Sequence, residues 1–374
     1  LNEKQYFKSM ARVFGQEHVV IKGMDVDKSA GVLRDLWDGF DDPVEIGGDA
    51  TKFDMHVSRE ALEFEHLFYL LPHHGGTVQE CLADYRAVQR SAVESCPSDN
   101  GFEELAWMLA LQLDSTGTAR FDDGILRFKM RGKRASGDLN TSLGNCVLMC
   151  ALNYAWSKRA GVRTALGNNG DDCTNMMERR DHHKWLDGIE AYFASRGFRM
   201  EFETPVFSFE QVEFCQSRPV LVGGSYRMVR NPKTLIIKST MCLHPVATLQ
   251  VLRKWMMAVG VCEGKLAAGV PVVDAFARAL RRNGKSCSRR LLRCVQSDTS
   301  RAVSREVGSD ITMETRLSFM TAFGIQPRDQ FFLEAYYDGW VMGKEFGGEV
   351  AGWEARNKSC VPFAPITHLL GPHN

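Results

Sequence analysis

The stretch Ala165-Leu166-Gly167-Asn168-Asn169-Gly170-Asp171-Asp172-Cys173 constrains this chain more than any other. Asn-Gly between short apolar runs is the strongest local signal for a β-hairpin, because a type I′ turn needs positive φ at both central residues. The hairpin it predicts carries two adjacent carboxylates at its tip. Read locally, two interpretations stand open: a plain surface turn, since Asn, Gly and Asp are what turns collect, or a metal site displayed on a rigid hairpin.

The rest of the chain sets the context. With 374 residues, 44% apolar and 25% charged, it can bury a large core, and its length suggests roughly two or three subdomains. No transmembrane segment is expected; the apolar stretch at 240–252 falls short of the roughly 20 residues a span needs. The N-terminus "LNEKQYFKSM" lacks the apolar core of a signal peptide, and its missing Met suggests a fragment or a processed product. The 11 cysteines form no CxxC pair and read as reduced thiols, Cys146 and Cys150 as small core residues on one helical face. The 46 basic and 46 acidic residues cancel, so the chain as a whole lacks the basic excess of many nucleic-acid binders. The charge is uneven, however. Arg278, Arg281, Arg282, Lys285, Arg289, Arg290, Arg293, Arg301 and Arg305 face one acid, Asp298, over a short segment. That segment is either a phosphate-facing surface or a solvated helix face.

Apolar spacing predicts helices over 7–14, 30–40 and 60–71, a further one after "HHGG", and a hairpin over 121–133 turning at Asp122-Asp123-Gly124. "DDPVEIGGDATKFD" reads as turn, strand and loop, which sets an acid at a strand end. A long half-buried helix begins near Leu139 and stops at Gly161. A helix over 183–195, a strand near 198–202 and a hairpin in "FEQVEFCQSRPVLV" follow. Beyond residue 246 the pattern is helical, over 246–259, 272–282, 288–295 and 311–322. The fold class is α+β, with an interleaved centre and a helical C-terminal region.

Nucleotidyl transfer uses two divalent ions roughly 4 Å apart. Mg²⁺ accepts a few carboxylates and completes its shell with substrate oxygens and water. Asp49, at a strand end, and the tip pair Asp171 and Asp172 supply such a set if their strands are neighbours. Between them, Thr141 and Asn145 lie four apart on one helical face, so they present a hydroxyl and an amide together. That stripe reads a ribose, or it is the polar side of a helix capped by Asp138 or Ser136.

Four stretches in order, "DATKFDMHVS", "SGDLNTSLGNCVLM", "NNGDDC" and "FEQVEFCQSRPV", resemble motifs A, B, C and E of viral RNA-dependent RNA polymerases. The tombusvirus-like group of positive-strand RNA viruses is the most similar. "HVVIKGMDVD" and "YRMVRNPKT" extend the resemblance to about 19–240. It implies a right-hand polymerase fold with an antiparallel-sheet palm, partial fingers and a mainly helical thumb. The implied boundaries are fingers at 1–44 and 73–130, palm at 45–72 and 131–225, and thumb at 226–374. It implies Asp49, Asp171 and Asp172 as catalytic metal ligands for Mg²⁺, with Mn²⁺ as a substitute. Asp54, Ser136, Thr141 and Asn145 fall around the incoming ribose, Gly137 gives the motif B loop its freedom, and a hairpin at 214–218 supports the nascent 3′ end. Arg289, Arg290 and Arg293 face product RNA from the thumb. RNA template and product, rNTPs and a viral accessory replication protein are the implied partners. Host cytoplasm is the implied location, at membrane-associated replication complexes reached through a partner or an upstream segment.

Two departures accompany the resemblance. The basic fingers motif F that grips the triphosphate is expected upstream of residue 1 and is not found in this sequence; Lys4, Lys8, Arg12, Lys22, Lys28 and Arg34 match the family's segment after it. In the motif D region, "RGFRMEFETPVF", Arg196 and Arg199 stand where a Lys proton donor is expected, and a guanidinium hardly releases a proton near neutral pH. The rivals are a reverse transcriptase, disfavoured by Gly170 before the acids, and a non-catalytic RNA-binding fragment of a replicase.

Overall fold

The strand β1 (Pro43–Ala50) is buried along nearly its whole length, as an inner strand must be when neighbours and a covering layer take both of its faces. It is the third strand of a four-stranded antiparallel sheet in the order β4-β5-β1-β6, formed with β4 (Thr164–Asn169), β5 (Asp172–Glu178) and β6 (Met200–Phe202). The register runs from Pro43↔Glu178 to Gly48↔Cys173 on one side and from Gly48↔Phe202 to Ala50↔Met200 on the other. A Cβ on Gly48 would lie 3.1 Å from both Cys173 Sγ and the Phe202 ring, so glycine lets the neighbouring side chains close over the strand.

This computed structural model describes residues 3–91, 101–241, 248–299 and 310–342, with the backbone alone for 296–299. Two compact units divide it, Leu1–Lys22 with Phe40–Pro205, and Gly23–Gly39 with Val206–Asn374. In the first unit, α1 (Glu3–Phe14), α3 (Phe53–His56), α4 (Arg59–His74), α5 (Val78–Arg90), α6 (Gly101–Ala110), α7 (Thr141–Ala160), α8 (His182–Leu186) and α9 (Ile189–Ala194) accompany the sheet. Local chemistry sets their ends: Ser58 caps α4 through the Ala61 amide, Thr77 and Glu80 form a reciprocal capping box on α5, and Gly161 closes α7 in the left-handed region. One core joins Val44 and Ile46 of β1, Leu62 and Leu70 of α4, Cys146, Val147 and Cys150 of α7, and Trp185 and Phe193. Each such large apolar side chain contributes about 1.5–3 kcal/mol by leaving water. The hairpin of β2 (Asp114–Phe121) and β3 (Gly124–Arg131) starts before the expected one and turns at Asp122-Asp123, as its sequence implies.

The second unit contains α2 (Val26–Trp37), the hairpin β7 (Ser217–Val222) with β8 (Ser225–Arg230), and α10 (Pro232–Thr240) to α15 (Pro327–Gly339). Between them come α11 (Leu249–Leu266), α12 (Val273–Asn283), α13 (Arg289–Thr299) and α14 (Met313–Phe323). Their core gathers Trp255, Met256, Phe276, Phe319, Leu333 and Tyr337. No helix among the described residues is long and apolar enough to cross a membrane.

Several expectations change. The helix over 183–195 is two short helices, because Gly188 adopts φ 86° between them. The expected hairpin in "FEQVEFCQSRPVLV" divides: Phe214 and Ser217 bridge across a tight turn at Cys215-Gln216, both with positive φ, and the longer hairpin lies beyond it at β7 and β8. Helix α7 begins at Thr141 with Asn140 as its first flanking residue, not Asp138 or Ser136. Asp138 instead accepts a hydrogen bond from the Ala135 amide and holds the preceding turn. Arg301, Arg305 and the start of the helix expected from 246 lie outside the described residues.

Candidate active site

The β4–β5 turn is centred one residue later than the Asn-Gly dipeptide suggests. Asn169 pairs with Asp172, which leaves Gly170 and Asp171 as the two central residues. Gly170 has φ 80° and Asp171 is not in the positive region, so the turn has the II′ pattern, with glycine required at its first central position, and not the I′ pattern expected. Asn168, fully buried, braces it from inside: Nδ2 donates to the carbonyls of Gly170 at 2.9 Å and of Asp172 at 3.1 Å. Its backbone is held in turn, the amide donating to Val19 and the carbonyl accepting from Ile21. Lys22 follows Ile21 directly and lowers the Asp171 carboxyl by its charge.

The acids converge on this turn from two elements. Asp49 is exposed on β1, and the β1–β5 register, carried one step past Gly48↔Cys173, sets it opposite Asp172. Asp171 shows the crowding electrostatically. Burial pushes its carboxyl above the ordinary value, and the negative charges of Asp54 and Asp49 push the same way, against its own backbone hydrogen bond and Lys22.

Asp54 reaches the site because Lys52, in the left-handed region, turns the chain from β1 into α3. Its carboxylate is clamped. Ser136 Oγ donates to Oδ2 at 2.6 Å and Asn145 Nδ2 donates to Oδ1 at 2.9 Å. The Asn145 side chain also lies next to the turn, its Cβ 3.9 Å from where a Cβ on Gly170 would stand. Asn145 Oδ1 is buried and has no hydrogen-bond partner among the described residues.

The structure thus brings together Asp49, Asp54, Asp171, Ser136 and Asn145. Thr141 does something else: its hydroxyl donates to the Ala135 carbonyl at 3.0 Å and ties the Ser136-Gly137 loop to the start of α7. Gly137 is exposed, its φ is not positive, and a Cβ there would meet open space, so this conformation does not demand glycine. Arg289, Arg290 and Arg293 are exposed on α13, with no ion-pair partner among the described residues. Arg278 and Arg282 of the same basic segment are used internally, Arg278 on Asp274 and Asp338, Arg282 on the carbonyls of Tyr337 and Trp340.

No three Asp, Glu, His or Cys side chains among the described residues close on one point at ligand distance. The site nevertheless fits Mg²⁺, which binds through one or two carboxylates and takes its remaining oxygens from phosphate and water. Mutually repelling carboxylates around Asp171 are what such an ion relieves. Sequence reasoning missed Asn168, although it lies inside the quoted turn; its signal is a second Asn ahead of the Gly, more than a turn requires.

The chain matches the family described as viral RNA dependent RNA polymerase over residues 1–89 and 91–345. It is 39% identical over 339 residues to an RNA-directed RNA polymerase of Tobacco necrosis virus (strain A), covering 90% of this chain and 43% of that one. It is 36% identical over 367 residues to that of Oat chlorotic stunt virus, covering 95% and 46%. To a putative RNA-directed RNA polymerase of Barley yellow dwarf virus (isolate P-PAV) it is 37% identical over 350 residues, covering 92% and 37%. The chain therefore spans less than half the length of these curated relatives. The acid-bearing turn, the clamped Asp54 and these matches lead to one conclusion: the chain belongs to the viral RNA-dependent RNA polymerase family.

Proposed function

We propose that this chain carries the catalytic part of a viral RNA-directed RNA polymerase that copies viral RNA from rNTPs. One observation carries the reading: Asp49 and Asp54 stand near enough to the Asp171 turn for their charges to act on its carboxyl, and Ser136 and Asn145 hold Asp54 there. Asp49 and Asp171, with Asp172 beside them, would hold Mg²⁺ or Mn²⁺. A divalent ion held there would supply Lewis-acid activation of the attacking 3′-hydroxyl and counter-charge for the triphosphate. Asn168 fixes the turn so that Asp171 keeps its place when the charge around it changes. Lys22 adds a positive charge beside the acids. Asp54 and Asn145 form a polar pair that accepts a ribose 2′-hydroxyl, the group that separates RNA from DNA precursors. Arg196, stacked on Tyr192, and Arg199 contribute charge, not general-acid chemistry.

The sheet with α7 fits a palm at 45–72 and 131–225, with fingers at 1–44 and 73–130 and a thumb at 226–374. RNA template and product, an accessory replication protein and membrane-associated replication complexes in host cytoplasm complete the reading.

The test is Mg²⁺-dependent rNTP incorporation on primed RNA, with and without an added upstream segment. Asp49→Asn and Asp171→Asn should each remain folded and lose at least about three orders of magnitude of synthesis. Either variant keeping more than a few per cent of activity overturns the metal assignment. The second reading, an RNA-binding replicase fragment without synthesis, draws on the exposed Arg289, Arg290 and Arg293. Replacing all three with Gln should flatten the salt dependence of RNA binding by about 0.7–0.9 for each phosphate no longer neutralised. An unchanged slope makes α13 an ordinary solvated face.

A further inference from the structure

Behind the sugar clamp lies a buried layer of polar side chains. Arg134 stands two residues before Ser136, and its backbone amide donates to the Asp54 carbonyl at 3.0 Å. Its side chain turns inward and pairs with Glu65 of α4; both side chains are 0% exposed. Glu65 Oε1 also accepts from Tyr69 OH at 2.7 Å and from Asn140 Nδ2 at 2.9 Å. Asn140 and Gln112 exchange amide hydrogen bonds at 2.7 and 3.1 Å. Gln112 Oε1 accepts from His66, whose other ring nitrogen accepts from Tyr85 OH.

Three features make this layer more than a satisfied core. Asn140 flanks the first turn of α7 without capping it; its side chain is committed to Glu65 and Gln112. Gly144 lies so close to Glu65 that a Cβ would stand 2.2 Å from Oε1, so the carboxylate bears directly on the helix backbone one residue before Asn145. Arg134 is fixed at both ends, by Glu65 through its guanidinium and by Asp54 through its amide. Glu65 therefore touches, through one partner each, the loop that carries Ser136 and the helix that carries Asn145.

We infer that Glu65, with Arg134, is a positioning element for sugar selection: the buried pair sets the spacing between Ser136, Asp54 and Asn145. A clamp of hydrogen bonds to one carboxylate discriminates only while its donors keep their distances, and displacements well under an ångström weaken it. With both side chains wholly buried, a change at Glu65 falls on the partners that tie it to the loop and the helix.

The inference rests on the sugar-reading role proposed for Asp54 and Asn145, and its test keeps the two apart. Incorporation efficiencies of rNTP and dNTP are measured in active enzyme for Asp54→Ala, Asn145→Ala, the charge-neutral double variant Glu65→Gln/Arg134→Gln, and Tyr69→Phe. Thermal unfolding of each is measured alongside. The double variant should lower the rNTP-to-dNTP ratio by about tenfold and Tyr69→Phe by about twofold, chiefly through poorer rNTP use. Ratios unchanged for Asp54→Ala and Asn145→Ala sink the sugar-reading role itself. Ratios that fall for those two and stay fixed for folded Glu65→Gln/Arg134→Gln overturn the positioning role alone. If the double variant does not fold, Tyr69→Phe decides: an unchanged ratio overturns the inference.

Discussion

Two parts of the first unit handle charge in opposite ways. At the β4–β5 turn, Asp171 is partly buried beside Asp49 and Asp54, and burial and their like charge raise its carboxyl. A short way along α7, Glu65 and Arg134 are buried completely, yet Glu65 meets a guanidinium, a phenol and an amide. At the turn, Lys22 and one backbone hydrogen bond offset only part of this. The backing layer is neutral by itself. A protein keeps uncompensated charge where a ligand is to supply the counter-charge, and compensated charge where geometry is to be fixed.

The comparison breaks most visibly at Glu65. Glu65→Ala leaves the Arg134 guanidinium buried without its partner, and breaking such a pair costs about 3–5 kcal/mol. Replacing both residues with Leu should cost much less, because no buried charge is left behind. Urea unfolding of the two variants checks this. Equal losses would mean that volume, not charge compensation, is what the layer provides.

His66 tests the same layer by pH. Burial, together with the nearby positive Arg134, lowers its pKa from 6.5 to about 4, while the hydrogen bond to Gln112 opposes the shift. A base with a lowered folded pKa contributes stability that is complete above its unfolded pKa of 6.5 and is lost as pH falls through the window down to about 4. The loss from this group reaches at most about 3 kcal/mol. Unfolding measured from pH 7 to pH 4 should show a shallower decline in His66→Gln than in the wild type. Parallel declines would place the acid sensitivity elsewhere.

How far the sequence foretells these regions follows from the range of the interactions involved. The turn, the strand-end Asp49 and α7 are local patterns of a few residues, and the sequence places all three. The turn type differs from the expected one because sheet register, and not the Asn-Gly dipeptide, sets the centre at Gly170-Asp171. Thr141 shares a helical face with Asn145, as its spacing implies, but its hydroxyl is taken by a carbonyl six residues back. Gly188 breaks a helix that apolar spacing alone continues. The Glu65–Arg134 layer has no signal in the sequence. Its members are 69 residues apart, and a Glu on an amphipathic helix reads as solvent-facing until the fold brings its partner to it.

The smallest effect tests the turn. Asp171→Asn removes one negative charge at nearly constant shape from a place where burial, Asp54 and Asp49 all disfavour it. An acid whose folded pKa is raised holds its proton more tightly folded than unfolded, so its ionised form lowers stability once pH exceeds the ordinary carboxylate range. At neutral pH without divalent ions, the variant should therefore be more stable than the wild type. Solvent screening at this partly exposed position keeps the gain small, about 1–3 °C in Tm. Below the carboxylate range the two proteins should melt together, since both then carry a neutral group at 171. Millimolar Mg²⁺ should raise the wild-type Tm by binding the folded state and leave Asp171→Asn nearly unmoved, closing or reversing the gap. Calorimetry with chelator and then with Mg²⁺ reads both arms. If Asp171→Asn is less stable without metal, the carboxylate is a structural partner like Glu65, and the turn holds no charge in reserve for a ligand.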